Sequence, residues 1–175
     1  MESILRFYLL AMAQGREAFA RENRDTYLVK HPSVVESSAT DAADEDEVGT
    51  EIIALRSTDA REVRAGSQHE WAAAPIRKRP GYPPYNRVVV GRSRVCDVVV
   101  AYASVSKVHA HLHLENFVPV AIADQRSANG TWLGGRRLDP GEMTAIAIGD
   151  RIRMGDVDFE LLDAAGFYDL LRKNM

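Results

Sequence analysis

The stretch Ser127 to Leu133, SANGTWL, constrains the fold more than any other part of the chain. Asn129 and Gly130 both tolerate positive φ at little cost, so the pair marks a tight reversal, and the apolar, β-branched residues behind it mark a strand. Two fragments stand upstream of it. Gly91-Arg92 closes the strand-like run RVVVGR, and Ser106-Lys107-Val108-His109 opens the run HAHLHL. Three turn-forming fragments at the ends of short apolar runs are what a sandwich presents at one end of its sheets.

The wider pattern agrees. From residue 75 short apolar runs alternate with turn residues, and strands are expected over 76–79, 87–91, 98–100, 109–114, 119–124, 131–133, 143–147, 151–154 and 157–162. Residues 3–22 carry Ile4, Tyr8, Ala11, Met12 and Phe19 near the helical period and read as one amphipathic helix. Tyr27–Val29 reads as a short strand stopped before His31-Pro32. Residues 165–173 read as a helix with Phe167, Leu170 and Leu171 on one stripe and Arg172 and Lys173 at its negative end. The two helical ends are expected to pack on each other or on the sandwich.

The organisation expected is therefore an N-terminal helical segment over 1–35, an acidic linker over 36–51 and an ambiguous connector over 52–73, in which 52–56 reads as a strand. A β-sandwich follows over 74–163, and a C-terminal helix over 164–175. The linker, ESSATDAADEDEVGTE, has almost no large apolar side chains to bury and reads as a solvated connector.

Charge follows this division. Residues 1–73 hold 8 Lys/Arg against 14 Asp/Glu, net −6, while residues 74–163 hold 12 against 10, net +2. Neither value is that of a nucleic-acid binder, so any phosphate recognition must be local. Apolar residues make up 46% of the chain and charged ones 27%, which excludes global disorder. One cysteine, Cys96, excludes an internal disulfide and a Cys-rich metal site, and a reducing, cytoplasmic compartment fits best. The run Phe7–Ala13 imitates a signal peptide, but Glu2 beside Arg6 and its short length favour a cytoplasmic helix. No apolar run reaches the roughly 20 residues of a membrane span.

Taken together, GR, S-x-x-H and S-x-NGT resemble the forkhead-associated (FHA) domain, of bacterial type, a reader of phosphothreonine peptides. The run GRSRVCDVVVAYASVSKVHA is similar to that family's pattern almost position by position. The resemblance implies a mainly β, antiparallel FHA-type sandwich with flanking N- and C-terminal helices. It also implies a non-enzymatic adaptor without cofactor, whose partner is a threonine-phosphorylated protein, either a Ser/Thr kinase or its substrate. The alternative that keeps the fold is an assembly module independent of phosphorylation.

By the same resemblance Arg92, Ser106 and Lys107 are the phosphate ligands. Asn129 holds the peptide main chain, Ser127 belongs to the same site, and Gly91, His109, Gly130 and Thr131 keep the loops in shape. The chemistry suits those residue types. A phosphothreonine carries about −1.5 to −2 charge and three acceptor oxygens, and a guanidinium fork grips two of them where an ammonium cannot. Three departures from the family pattern bear on affinity. Lys107 stands where arginine is frequent, Ala128 replaces a common threonine, and Gly134-Gly135 replaces Asn-Gly.

Other constellations compete less well. Ser106 and His109 lack a nucleophile elbow and an acidic partner, so hydrolase chemistry is not expected. His109, His111 and His113 alternate on one strand face, but that face is read as solvated with one structural histidine rather than as a metal site. Trp132 is read as core or loop support. Thr40 and Thr50, if phosphorylated, would place a ligand for the reader inside the chain's own acidic segment, a self-association that stays open beside the plain-connector reading.

Overall fold

The structure, a computed structural model, describes residues 4–31, 62–64, 71–81 and 83–174. The acidic stretch with Thr40 and Thr50, and the strand expected at 52–56, lie outside the described residues.

In chain order the helices are α1 (Ile4–Gln14), α2 (Arg16–Glu22) and α3 (Ala164–Asn174). The strands are β1 (Tyr27–Lys30), β2 (Glu62–Arg64), β3 (Ala72–Pro75), β4 (Arg87–Gly91), β5 (Val98–Ala101) and β6 (Ala110–Glu115), then β7 (Val118–Asp124), β8 (Thr131–Leu133), β9 (Arg136–Arg137), β10 (Thr144–Ala145), β11 (Arg151–Met154) and β12 (Val157–Leu162). They form two sheets, one ordered β3-β1-β12-β11-β8-β9 and the other β10-β7-β6-β4-β5-β2. The expected antiparallel rule holds for most neighbours, but β5 runs parallel to both β4 and β2. β5 starts beside the end of β4, with Val90 opposite Val98 and Gly91 opposite Val99, and runs on in the same direction, so Arg92–Asp97 form a loop beside the end of β4.

The core lies between the sheets. Val88, Val90, Val98, Val100, Leu112 and Ile122 from one face meet Leu28, Ile152, Met154, Phe159 and Leu161 from the other. Alternation explains which side chains go in: along β6 Ala110, Leu112 and Leu114 are buried and His111 and His113 are half-buried. Each large apolar side chain so enclosed stabilises the fold by about 1.5–3 kcal/mol before entropy is counted.

A second apolar cluster explains the helices. β1 is buried along its whole length because Leu28 points into the sandwich while Tyr27 and Val29 point under the helical layer. There Phe167 of α3 stacks on Tyr27 with ring centroids 4.4 Å apart, and Phe7 meets both rings edge-on. At the rim Arg16 holds Asp169 through two nitrogens, Nε and Nη2, each at 2.8 Å. The N- and C-terminal helices thus pack on each other and on the sheet.

Several expectations need correction. The single helix over 3–22 is broken at Gly15, whose φ of 75° is left-handed and turns the chain between α1 and α2. The strand expected at 76–79 lies earlier, at Ala72–Pro75. Beyond Ile76, whose amide donates to the Thr26 carbonyl at 2.7 Å, the chain leaves the sheet, and the Arg79 amide donates to the Asp97 carboxylate at 2.9 Å. Residues 143–147 keep only the two-residue β10. The first sheet also takes in β1 and β3, so the sandwich draws on residues before 74, where its start was expected.

Candidate functional site

Four connections meet at one end of the sandwich: residues 92–97 after β4, 102–109 after β5, 125–130 after β7, and the 155–156 turn between β11 and β12. Their packing starts from Gly91. A Cβ there would lie 2.4 Å from the Lys107 carbonyl oxygen, so only glycine lets the β4 end and the 102–109 loop close together. The Arg92 amide then donates to the Ser106 carbonyl at 2.9 Å, and the Ser93 amide to that of Lys107 at 3.0 Å. Arg92 and the Ser106–Lys107 pair are thereby set side by side.

Each expected phosphate ligand keeps free capacity. The Arg92 side chain is exposed, and its Nε donates to the Val105 carbonyl at 3.1 Å, which fixes the guanidinium while its terminal nitrogens have no partner among the described residues. Ser106 Oγ accepts from the Ala128 amide at 2.9 Å, so the hydroxyl proton remains for an outside acceptor. Ala128 carries no side-chain hydroxyl, yet its backbone amide ties the two loops together. Lys107 is exposed, and its ammonium is in no ion pair among the described residues.

Asn129 is exposed on the facing loop, with Nδ2 donating to the Ser104 carbonyl at 2.8 Å. Its Oδ1 and second N–H have no partner among the described residues and are the complement a peptide backbone needs. Ser127 differs from expectation. Its hydroxyl donates to Asp124 Oδ1 at 2.6 Å and accepts from the Gly130 amide at 2.9 Å, which commits it inward as a loop clamp.

His109 joins the loops from below. It precedes β6 rather than opening it and is fully buried, so it does not share the face of His111 and His113. Nδ1 accepts from the Ser106 amide at 3.0 Å, which leaves the proton on Nε2 to be donated to the Gly130 carbonyl, also at 3.0 Å. Burial lowers the affinity of this imidazole for a second proton, more than the Gly130 carbonyl and Asp124 raise it. The Gly130 carbonyl accepts a further bond from the Gly155 amide at 3.1 Å. A φ of 86° at Gly130 makes this orientation possible.

Asp124, at the end of β7, is a site residue that the sequence did not single out. Burial alone would push its carboxyl up, but the Ser127 hydroxyl, the Thr131 hydroxyl and the Ser127 amide together hold it below the ordinary value. Thr131 Oγ1 donates to it at 2.6 Å and is itself fully buried. Ser104 and Asp156 were missed as well. They bond through the Ser104 hydroxyl, and the Asp156 amide returns to Ser104 Oγ at 3.3 Å. The readable signal was the acid ending an apolar strand three residues before a serine and seven before a threonine, D-x-x-S-x-x-x-T.

Cys96, expected to be buried, has no exposed surface. Burial pushes its thiol up, and Sγ donates to the Lys107 carbonyl at 3.1 Å. Among the described residues no three His, Cys, Asp or Glu side chains gather as a metal would require. No helix of the described residues is long and apolar enough to cross a membrane.

Comparison with known proteins follows the same residues. Residues 88–155 match the family model of the FHA domain. The FHA domain-containing protein PS1 of Arabidopsis thaliana is 30% identical over 69 residues, covering 39% of this chain and 5% of that protein. The chain thus spans a small part of that relative, and a plant relative lends no support to the bacterial type expected. The FHA domain of CT664 from Chlamydia trachomatis is 26% identical with a TM-score of 0.42, over 53% of this chain and 85% of that one. The N-terminal FHA domain of S. cerevisiae RAD53P, solved in complex with a phosphothreonine peptide, is 23% identical with a TM-score of 0.40, over 48% and 73% respectively.

Proposed function

We propose, from the match of residues 88–155 to the FHA-domain family model, that this chain is a phosphothreonine-peptide-binding adaptor in Ser/Thr kinase signalling. The observation that carries the reading is the juxtaposition of Arg92 and Ser106. The Arg92 amide is bonded to the Ser106 carbonyl, and both side chains keep donors without a partner among the described residues. A phosphate placed between them meets a fixed guanidinium and a hydroxyl, with the Lys107 ammonium as a mobile second cation. The Asn129 amide on the facing loop then takes the peptide backbone.

No group here is asked to make or break a bond, so the role is recognition. The partner is a threonine-phosphorylated protein, a kinase or its substrate, met in the cytoplasm. Phospho-motif readers of this kind draw affinity from charge-assisted contacts on preformed loops, and the bonds that fix Arg92 and Ser106 supply that preorganisation. A phosphorylated Thr40 or Thr50 would be an internal ligand for the same groups.

The test is titration of the full chain with phosphothreonine peptides and their unphosphorylated counterparts. Binding confined to the phosphorylated set is expected. Equal binding of both sets would instead favour the phosphorylation-independent assembly module.

A further inference from the structure

One row of side chains on the outer face of the first sheet has no part in the phosphate site. Arg137 of β9 pairs with Trp132 of β8, Trp132 pairs with Arg153 of β11, and Arg153 pairs with Asp158 of β12. Directly paired residues share a face. Thr131, Ile152 and Met154 point inward, so the row points outward.

Trp132 lies between two guanidinium groups, that of Arg137 5.6 Å and that of Arg153 5.5 Å from its ring centroid. Such stacking holds both cations in place. It does not neutralise them, and neither arginine is ion-paired among the described residues.

The position of Arg137 decides what the row can serve. A Cβ on Gly130 would lie 2.9 Å from Arg137 Nε and 3.1 Å from Nη2. The guanidinium therefore covers the residue that follows Asn129, where the peptide main chain is to be held. We propose that Arg137, stacked on Trp132 beside Gly130, reads an acidic side chain of the bound peptide next to its phosphothreonine, with Arg153 adding a more distant positive charge.

The inference rests on the phosphopeptide reading and deepens it. A planar, prepositioned guanidinium suits a carboxylate. An arginine-flanked tryptophan also suits a nucleobase, but the sandwich carries only 12 Lys/Arg against 10 Asp/Glu over 74–163, far from the charge of a nucleic-acid surface.

The experiment uses one phosphothreonine peptide with alanine flanks and a series carrying a single glutamate at each flanking position in turn, titrated into the full chain and its variants. Glutamate at one position is expected to tighten binding about three- to fivefold at low salt. In R137Q that gain falls to near unity, in R137K part of it survives, and high salt reduces it in the parent.

A flat glutamate series, or a gain that persists in R137Q, overturns the inference while leaving phosphothreonine binding intact. If the phosphate itself contributes nothing, the underlying reading fails and this one with it. Oligothymidylate binding tighter than the best peptide, and lost in R137Q, would also overturn it and give the face to nucleic acid.

Discussion

The Ser106 amide donates to His109 Nδ1 at 3.0 Å. This bond orients Ser106 from beneath, and because it is accepted by an imidazole it exists only while Nδ1 is unprotonated. A second proton would set an N–H against the Ser106 N–H, beside the hydroxyl proposed above to meet a phosphate.

The pH dependence of stability follows from that arrangement. Burial lowers the folded-state pKa of His109 below the ordinary 6.5, so on acidification the unfolded chain takes up its proton first. The stabilising contribution is complete above about 6.5 and is lost as pH falls through the lower folded value. His111 is shifted in the same direction, by burial and then by Arg87 and Lys78, and adds to the slope. Denaturant midpoints should drop between neutral pH and about pH 5, and an NMR titration should place the His109 midpoint below that of a free imidazole. A midpoint at or above the ordinary value would refute this account.

Gly91→Ala tests the closest backbone approach under the site. The added methyl would sit 2.4 Å from the Lys107 oxygen and 2.9 Å from Val108 Cα, both backbone atoms that a rotamer change cannot clear. The loop must shift, at a cost of about 1–3 kcal/mol. Unfolding midpoints measure that cost. Phosphopeptide affinity should fall too, because the displaced segment includes Ser106. Unchanged values for both would mean that the two segments are not held in register.

How much of this was legible in the sequence depends on where the information sits. Period-two burial placed β6, β8, β11 and β12 within a residue or two, and the Asn129-Gly130 turn marked the site's facing loop, since local propensity decides both. Gly15 broke a helix that apolar spacing alone continued, and Asp97 drew Arg79 out of a strand by a contact 18 residues away. The spacing D-x-x-S-x-x-x-T marked Asp124, Ser127 and Thr131 as a group but not what each hydroxyl faces. A serine in a turn looks the same whether its hydroxyl faces a ligand or a buried carboxylate, and only the fold brings Asp124 under Thr131. The place of Trp132, read as core or loop support and found between two arginines, likewise depended on the register of β8 with β9 and β11.

Asp124→Ala should be damaging although it leaves Arg92, Ser106, Lys107 and Asn129 in place. It removes the acceptor for the Ser127 amide, the Ser127 hydroxyl and the buried Thr131 hydroxyl. Bonds to a charged group contribute about 1.5–3 kcal/mol each, so a net loss of at least ~2 kcal/mol is expected even after relaxation. Chemical denaturation checks this, and a loss below about 0.5 kcal/mol, the level of an ordinary surface change, would contradict it. The carboxylate's folded pKa is lowered, so its contribution is present above the ordinary 3.8 and disappears as pH falls below it.

Arg92 separates binding from folding most cleanly. Its side chain is exposed and makes one bond among the described residues, Nε to the Val105 carbonyl, so its removal opens no core cavity. Arg92→Ala should therefore leave the unfolding midpoint within about 0.5 kcal/mol of the parent. The charge-assisted contact it loses is about 1.5–3 kcal/mol, roughly ten- to 150-fold in phosphopeptide affinity. Arg92→Lys should fall between, since an ammonium keeps the charge but cannot span two phosphate oxygens and has no Nε to fix it against Val105. Calorimetric titration of the three proteins with one phosphothreonine peptide gives the order directly. Equal affinity in parent and alanine variant would remove Arg92 from the site. Equal affinity in parent and lysine variant would mean that charge alone, and not the fork held by Val105, carries the recognition.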